Sequence, residues 1–146
     1  MKKLILILAS FFALSCISHA QRFTVGAAIG LTNGPTPQFS LMVGANDIIN
    51  ALFIGVDARL EGNLNLGSSA VVSLGAAVLG TVNLGVVTVY GGPQVNFALS
   101  NSSLSVGAVG GLRYSLILGL SAFVEGGVLF NDPLGWRIRA GASFSL

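Results

Sequence analysis

The chain has 146 residues, of which 53% are apolar, only 8% are charged and 20 are glycine, against roughly 25% charge in an ordinary soluble domain. With a mean hydropathy of +0.83 it is composed for lipid rather than water, and its length allows one domain. Lys2 and Lys3 precede the apolar run 4–17 and a small-x-small site at Ser18, His19 and Ala20, the pattern of a secretory signal removed after residue 20. Two other readings of this leader are open: Ala13-Leu14-Ser15-Cys16 faintly resembles a lipoprotein processing site, and the run could stay as an anchor, although about 20 residues are needed to span.

Residues 21–146 contain no Lys, Cys or His. Five arginines (Arg22, Arg59, Arg113, Arg137, Arg139) balance five acids (Asp47, Asp57, Glu61, Glu125, Asp132), so nucleic-acid binding lacks an electrostatic basis. Disulfides, thiol nucleophiles and thiolate or imidazole metal sites are excluded as well. No cofactor and no catalysis are expected; Ser73, Ser121 and Ser143 read as small polar residues, not nucleophiles.

The stretch 71–90 is apolar enough for a membrane helix, which would make the chain a multi-pass inner-membrane protein. It carries Gly75, Gly80, Gly85, Asn83 and seven valines, however, which weaken a helix. A second span over 104–124 would put Arg113 near the bilayer centre, at about 2.5–3.5 kcal/mol. The other solution that satisfies every backbone group in lipid is a closed β-barrel.

Period two supports the barrel. In chain order the outward faces are Phe23, Val25, Ala27, Ile29 and Leu31; Phe39, Leu41, Val43 and Ala45; Leu52, Ile54, Val56, Ala58 and Leu60; and Val72, Leu74, Ala76 and Val78. A looser fifth strand, about 85–98, puts Tyr90, Gln94 and Asn96 inside, with a bulge at Gly91-Gly92-Pro93 because proline cannot donate to the ladder. The last three outward faces begin at Leu104, Leu120 and Trp136. The fold expected is an all-β, eight-stranded, antiparallel, up-and-down transmembrane barrel following a cleaved signal peptide.

The charges sort independently of this pattern. Arg22, Asp57, Arg59, Glu61, Arg113, Glu125, Arg137 and Arg139 fall on the inward parity, while Asp47 and Asp132 sit in connections. Phe23, Phe39, Phe97, Tyr114, Phe130, Trp136 and Phe144 fall on the outward parity near strand ends, where interfacial girdles form. Turn chemistry is read at 33–37, Asn46-Asp47, Gly62-Asn63, 80–83, 100–103, Gly119 and 131–135. The connections at the end away from the termini are then 32–37, 62–68, 100–103 and 131–135, too short for an adhesin surface.

The last eight residues, Arg139-Ala140-Gly141-Ala142-Ser143-Phe144-Ser145-Leu146, resemble the C-terminal β-signal of bacterial outer-membrane barrels, with Gly141, Phe144 and Leu146 at its fixed positions. Together with the eight-strand pattern, the chain resembles the small outer-membrane barrels of the OmpA/OmpX type. That resemblance implies insertion into outer-membrane lipid by the barrel-assembly machinery, with both termini periplasmic.

An eight-stranded barrel is just wide enough for side chains to fill. Ten inward glycines leave room for the arginines, and Asp57, Glu61 and Glu125 are the acids expected to pair with them. The lumen therefore reads as a polar plug, the rival being a narrow path that weakly favours anions. A monomer is expected; association through outward glycines such as Gly110 and Gly126 is the alternative.

Overall fold

The computed structural model describes residues 22–131 and 133–146. The expectations for the leader and for Asp132 lie outside these residues. Eight antiparallel strands follow one another in sequence: β1 (Arg22–Thr32), β2 (Thr36–Ala51), β3 (Ile54–Leu66), β4 (Ala70–Asn83), β5 (Val87–Ala98), β6 (Ser103–Ser115), β7 (Leu120–Leu129) and β8 (Gly135–Ser145). Each pairs with its neighbours, and β8 closes on β1. The helical alternative is not formed: 71–90 divides between β4 and β5, and no described helix is long and apolar enough to cross a membrane.

Register fixes the shape of the cylinder. Thr24 pairs with Gly44, and the chain of partners runs on through Arg59, Ala77, Gln94, Gly107, Leu129 and Gly135. Continuing the β8–β1 ladder, in which Arg137 faces Thr32, sets Gly135 opposite residue 34, so one circuit shifts the register by ten residues. For eight strands this shear gives a tilt of about 41° and a radius of about 8 Å. The 13-residue β3 then rises about 32 Å along the axis, more than the roughly 25 Å apolar band of such barrels.

Side chains alternate across the wall, apolar outside and mostly polar inside. Val25, Leu41, Leu60, Leu74, Val124 and Ile138 are exposed on the outer surface, whereas Gln38, Ser40, Asn63, Glu125 and Arg139 are buried in the lumen. Two small apolar groups also face inward, one of Ala77, Leu79, Tyr90 and Val109, the other of Ala28, Met42 and Phe123.

Four expectations about connections are corrected. Asn46-Asp47 is not a turn: β2 runs through it, with a shift in the β2–β3 register between Ala45 and Ile49. Asp47 takes a left-handed φ of 54° there and its amide donates to Asp57 Oδ1 at 2.9 Å. The hairpin lies instead at Leu52-Phe53, so Leu52 and Phe53 belong to a turn and not to the walls of the third strand. Gly62-Asn63 lies within β3, with Asn63 buried in the lumen and the connection at 67–69. Likewise 80–83 lies within β4, and the connection is 84–86. Finally, Gly91-Gly92-Pro93 carries no bulge, because the β5–β6 register is unbroken from Val87 to Ala98. Pro93 points outward and is tolerated because the pairing continues on either side of it.

The two ends differ. Connections at the end away from the termini carry Asn33, Ser68, Ser69, Ser100 and Asn101, whereas those beside the termini are built of Leu52-Phe53, Leu84-Gly85-Val86 and 116–119. Leu52 and Leu118 are 94% and 91% exposed.

Candidate functional site

Period two places Asp57, Arg59 and Glu61 of β3 on one inward row and Arg137 and Arg139 of β8 on another. The neighbouring strands make way for these long side chains. Arg59 pairs with Gly44, Glu61 with Gly75, Arg137 with Gly127, Arg139 with Gly30, and Tyr90 with Gly111. At Gly75 a Cβ would stand 2.6 Å from both Glu61 Cγ and Asn96 Oδ1, so this glycine is required by a close approach.

Glu125, 1% exposed, is the hub. Arg59 donates Nη1 to its Oε2 at 2.6 Å and Nη2 to its Oε1 at 3.1 Å, a bidentate pair across the barrel from β3 to β7. Tyr90 Oη donates to Oε2 at 3.0 Å and Arg139 Nε to Oε1 at 2.7 Å. Glu61 is the second acceptor, taking Arg137 Nη1 at 2.6 Å and Arg139 Nη2. Arg59 Nε lies 3.5 Å from Glu61 Oε2, an ion-pair distance without a hydrogen bond. Neutral groups take further donors: Gln94 Oε1 accepts Arg137 Nη2 at 2.6 Å, and Ser40 Oγ and Asn63 Oδ1 accept Arg139 Nη1 at 2.9 and 3.2 Å.

Nearer the termini, Arg113 Nη2 meets Asp57 Oδ2 at 3.2 Å and its guanidinium carbon stands 5.4 Å from the Tyr90 ring centroid. Tyr90 therefore links this pair to the central cluster. Arg22 stands apart: it is exposed at the start of β1 and forms no ion pair with another described residue. Although its parity is inward, its place at the first position of β1 puts it beyond the reach of the network.

The predicted girdle residues all lie on the outer surface and separate into two rings. Phe39, Phe97, Phe130 and Trp136 are near the end away from the termini, and Phe23, Tyr114 and Phe144 near the other. In the terminal segment, Gly141 is inward, and a Cβ there would meet Phe123 Cζ at 2.7 Å and the Ala27 carbonyl more closely still. Phe144 pairs with Val25 and Leu120, and Leu146 N donates to the Phe23 carbonyl at 2.7 Å.

The sequence pattern places Ser40, Tyr90 and Gln94 inside without singling them out as partners of the charges, and it reads Asn63 as a turn residue. The signal for Ser40, Tyr90 and Gln94 was inward parity alone, since the charges they meet lie on other strands. Around the terminus-side layers of Met42, Leu79, Tyr90 and Phe123 the free space is about 20 Å³. At the opposite end a cup of about 420 Å³ remains above Arg137.

No family model and no curated protein matches this sequence. Solved structures do match. The crystal structure of the outer membrane enzyme PagL is similar with a TM-score of 0.69 and 14% identity, over 83% of this chain and 98% of that one. A transmembrane β-barrel designed de novo gives 0.66 and 14%, over 86% and 95%. The N-terminal β-barrel domain of Pseudomonas aeruginosa OprF gives 0.63 and 12%, over 86% and 97%. At these identities the likeness is one of fold: a closed, eight-stranded antiparallel barrel of the outer-membrane type.

Proposed function

We propose that this chain is an integral outer-membrane barrel whose lumen is plugged by its own charge network, serving a structural or accessory role without catalysis. The observation that carries the reading is the cluster of Arg59, Glu61, Glu125, Arg137 and Arg139, joined from β3 to β7 and β8 across the interior. The space left in the adjoining layers, about 20 Å³, is room for about one ordered water and not for a hydrated ion, which supports the closed reading.

An apolar outer face with aromatic rings at both ends supports residence in lipid, and export through a cleaved leader with assembly by the barrel machinery completes the proposal. Ser73, Ser121 and Ser143 are buried lumen hydroxyls in a barrel with no imidazole to activate them, which supports a role without catalysis. A monomer is the state proposed.

Planar-bilayer recording tests the plug. The refolded chain is expected to give no stable unitary steps. Reproducible steps whose size changes in an Arg113→Ser variant would overturn the plug and favour the anion-preferring path.

A further inference from the structure

The connections beside the termini carry an apolar surface in which the plug has no part. Leu52-Phe53, 84–86 and 116–119 contain no polar side chain, and Leu52, Leu84, Ile117 and Leu118 are exposed. These connections join β2 to β3, β4 to β5 and β6 to β7. At the remaining seam Leu146, also exposed, follows β8 and bonds to the Phe23 carbonyl of β1, so exposed apolar groups ring the whole barrel. Leu52 and Leu118 hold left-handed φ angles of 58° and 47°, where asparagine or glycine fits better than leucine. No contact within the barrel compensates for leucine there, since both side chains are almost wholly exposed.

The outer wall runs into this ring without a polar break. Every outward residue is apolar or aromatic from Ile54 to Leu66 on β3, from Leu104 through β6 to Leu116, and from Ala70 through β4 to Leu84. At about 2.5 Å of axial rise per residue, the first two rows are about 30 Å tall and the third about 35 Å. Outer-membrane barrels present an apolar band of roughly 25 Å, which leaves about 5–10 Å in excess. The serine and asparagine connections hold the opposite end at water, and the excess therefore falls beside the termini. It matches the interfacial layer of a bilayer, about 5–8 Å deep on each side.

We infer that the ring of terminus-side connections is seated in the headgroup layer of the bilayer, with lipid as its partner. The inference rests on the membrane residence proposed above and adds where the barrel sits within it. Lipid suits the ring better than a protein cap. Inside the ring Asn50, Asn83 and Ser115 share the inward parity and are exposed; a protein seated across this end would strand them, whereas lipid packed around the outside leaves them in water. Contact with lipid also rewards leucine at a left-handed position. At headgroup depth a polar or charged replacement still reaches water, and relief of the left-handed backbone offsets the lost lipid contact, so the seating is read by depth and not by stability.

The test is a tryptophan depth measurement on the full chain, refolded in vesicles of dibrominated phosphatidylcholine. Trp136 is replaced by phenylalanine and one tryptophan is introduced at a time, as Phe53→Trp, Ile117→Trp, Val124→Trp or Ser100→Trp. Bromines near the glycerol end of the acyl chains should take most of the emission of Phe53→Trp and Ile117→Trp, and bromines near the chain ends that of Val124→Trp. Aqueous iodide should quench Ser100→Trp alone. Iodide quenching of Phe53→Trp or Ile117→Trp to the extent seen for Ser100→Trp, with Val124→Trp still quenched by bromine, would place the ring in water and overturn the inference while sparing membrane residence. Escape of Val124→Trp from bromine as well would overturn membrane residence and the inference with it.

Discussion

Replacing Glu125 with alanine removes the acceptor of Arg59, Arg139 and Tyr90 at once. Three guanidinium groups, those of Arg59, Arg137 and Arg139, would then share the single carboxylate of Glu61, and the cluster's net charge would rise from one to two. All three arginines are buried, with Arg139 only 1% exposed, so water cannot take the place of the lost carboxylate without opening the wall. Breaking a buried pair of this kind costs about 3–5 kcal/mol. With a urea slope of about 2 kcal/mol/M, the unfolding midpoint in lipid vesicles should fall by about 2 M. The double variant Arg59→Met with Glu125→Gln returns the charge to its original value and should recover more than half of that loss, a coupling that single deletions do not reveal. Denaturant titration followed by far-ultraviolet circular dichroism measures all three proteins. A loss below about 1 kcal/mol in Glu125→Ala, or a double variant no better than the single, would refute the view that this carboxylate holds the plug together.

Three further perturbations address the wall, the turns and the outer face. Gly75→Ala inserts a Cβ 2.6 Å from Glu61 Cγ and Asn96 Oδ1, and should cost about 1–3 kcal/mol. Gly62→Ala, on the outer face with nothing within 4 Å, should stay within about 0.5 kcal/mol in the same denaturant titration. At the β2–β3 hairpin, Leu52 holds a φ of 58° while almost wholly exposed. Because asparagine tolerates that conformation better, Leu52→Asn should leave stability equal or higher, by up to about 1 kcal/mol, and a clear loss of thermal midpoint would count against the turn assignment. Val124→Arg, outward in mid-strand on β7, should cost about 2–4 kcal/mol in bilayers, while Ile117→Arg in the β6–β7 connection should be close to neutral. Equal effects at the two positions would contradict a lipid-facing wall.

Which residues face inward was legible from one dimension, because parity along a strand is a local property set by the pleat. Asp57, Arg59, Glu61 and Glu125 declared their side of the wall by spacing alone, and the outward aromatics did the same. The misplaced turns have a shared cause. In a barrel with a polar interior, Asn and Asp are lumen residues as well as turn residues, and glycine stands on both faces of the wall, so Asn46-Asp47, Gly62-Asn63 and 80–83 carried a signal with two meanings. The real connections at Leu52-Phe53, 84–86 and 116–119 are largely apolar and carried none, apart from Gly85 and Gly119 with their positive φ.

Sequence by itself thus determined the strand type, the two faces and the sorting of charge, since each follows from alternation and from the cost of placing a charge in lipid. Tertiary structure alone decided which partners meet. The ten-residue shear carries β3 and β7 to opposite walls at a common height, so that Arg59 reaches Glu125 at 2.6 Å while Arg22, on the same parity, is left outside the network. It also decided where free space remains, closing the layers around Phe123 and leaving the cup above Arg137. Cavities and cross-lumen contacts depend on how far each strand slides past the next, and that displacement is settled only when the last strand closes on the first.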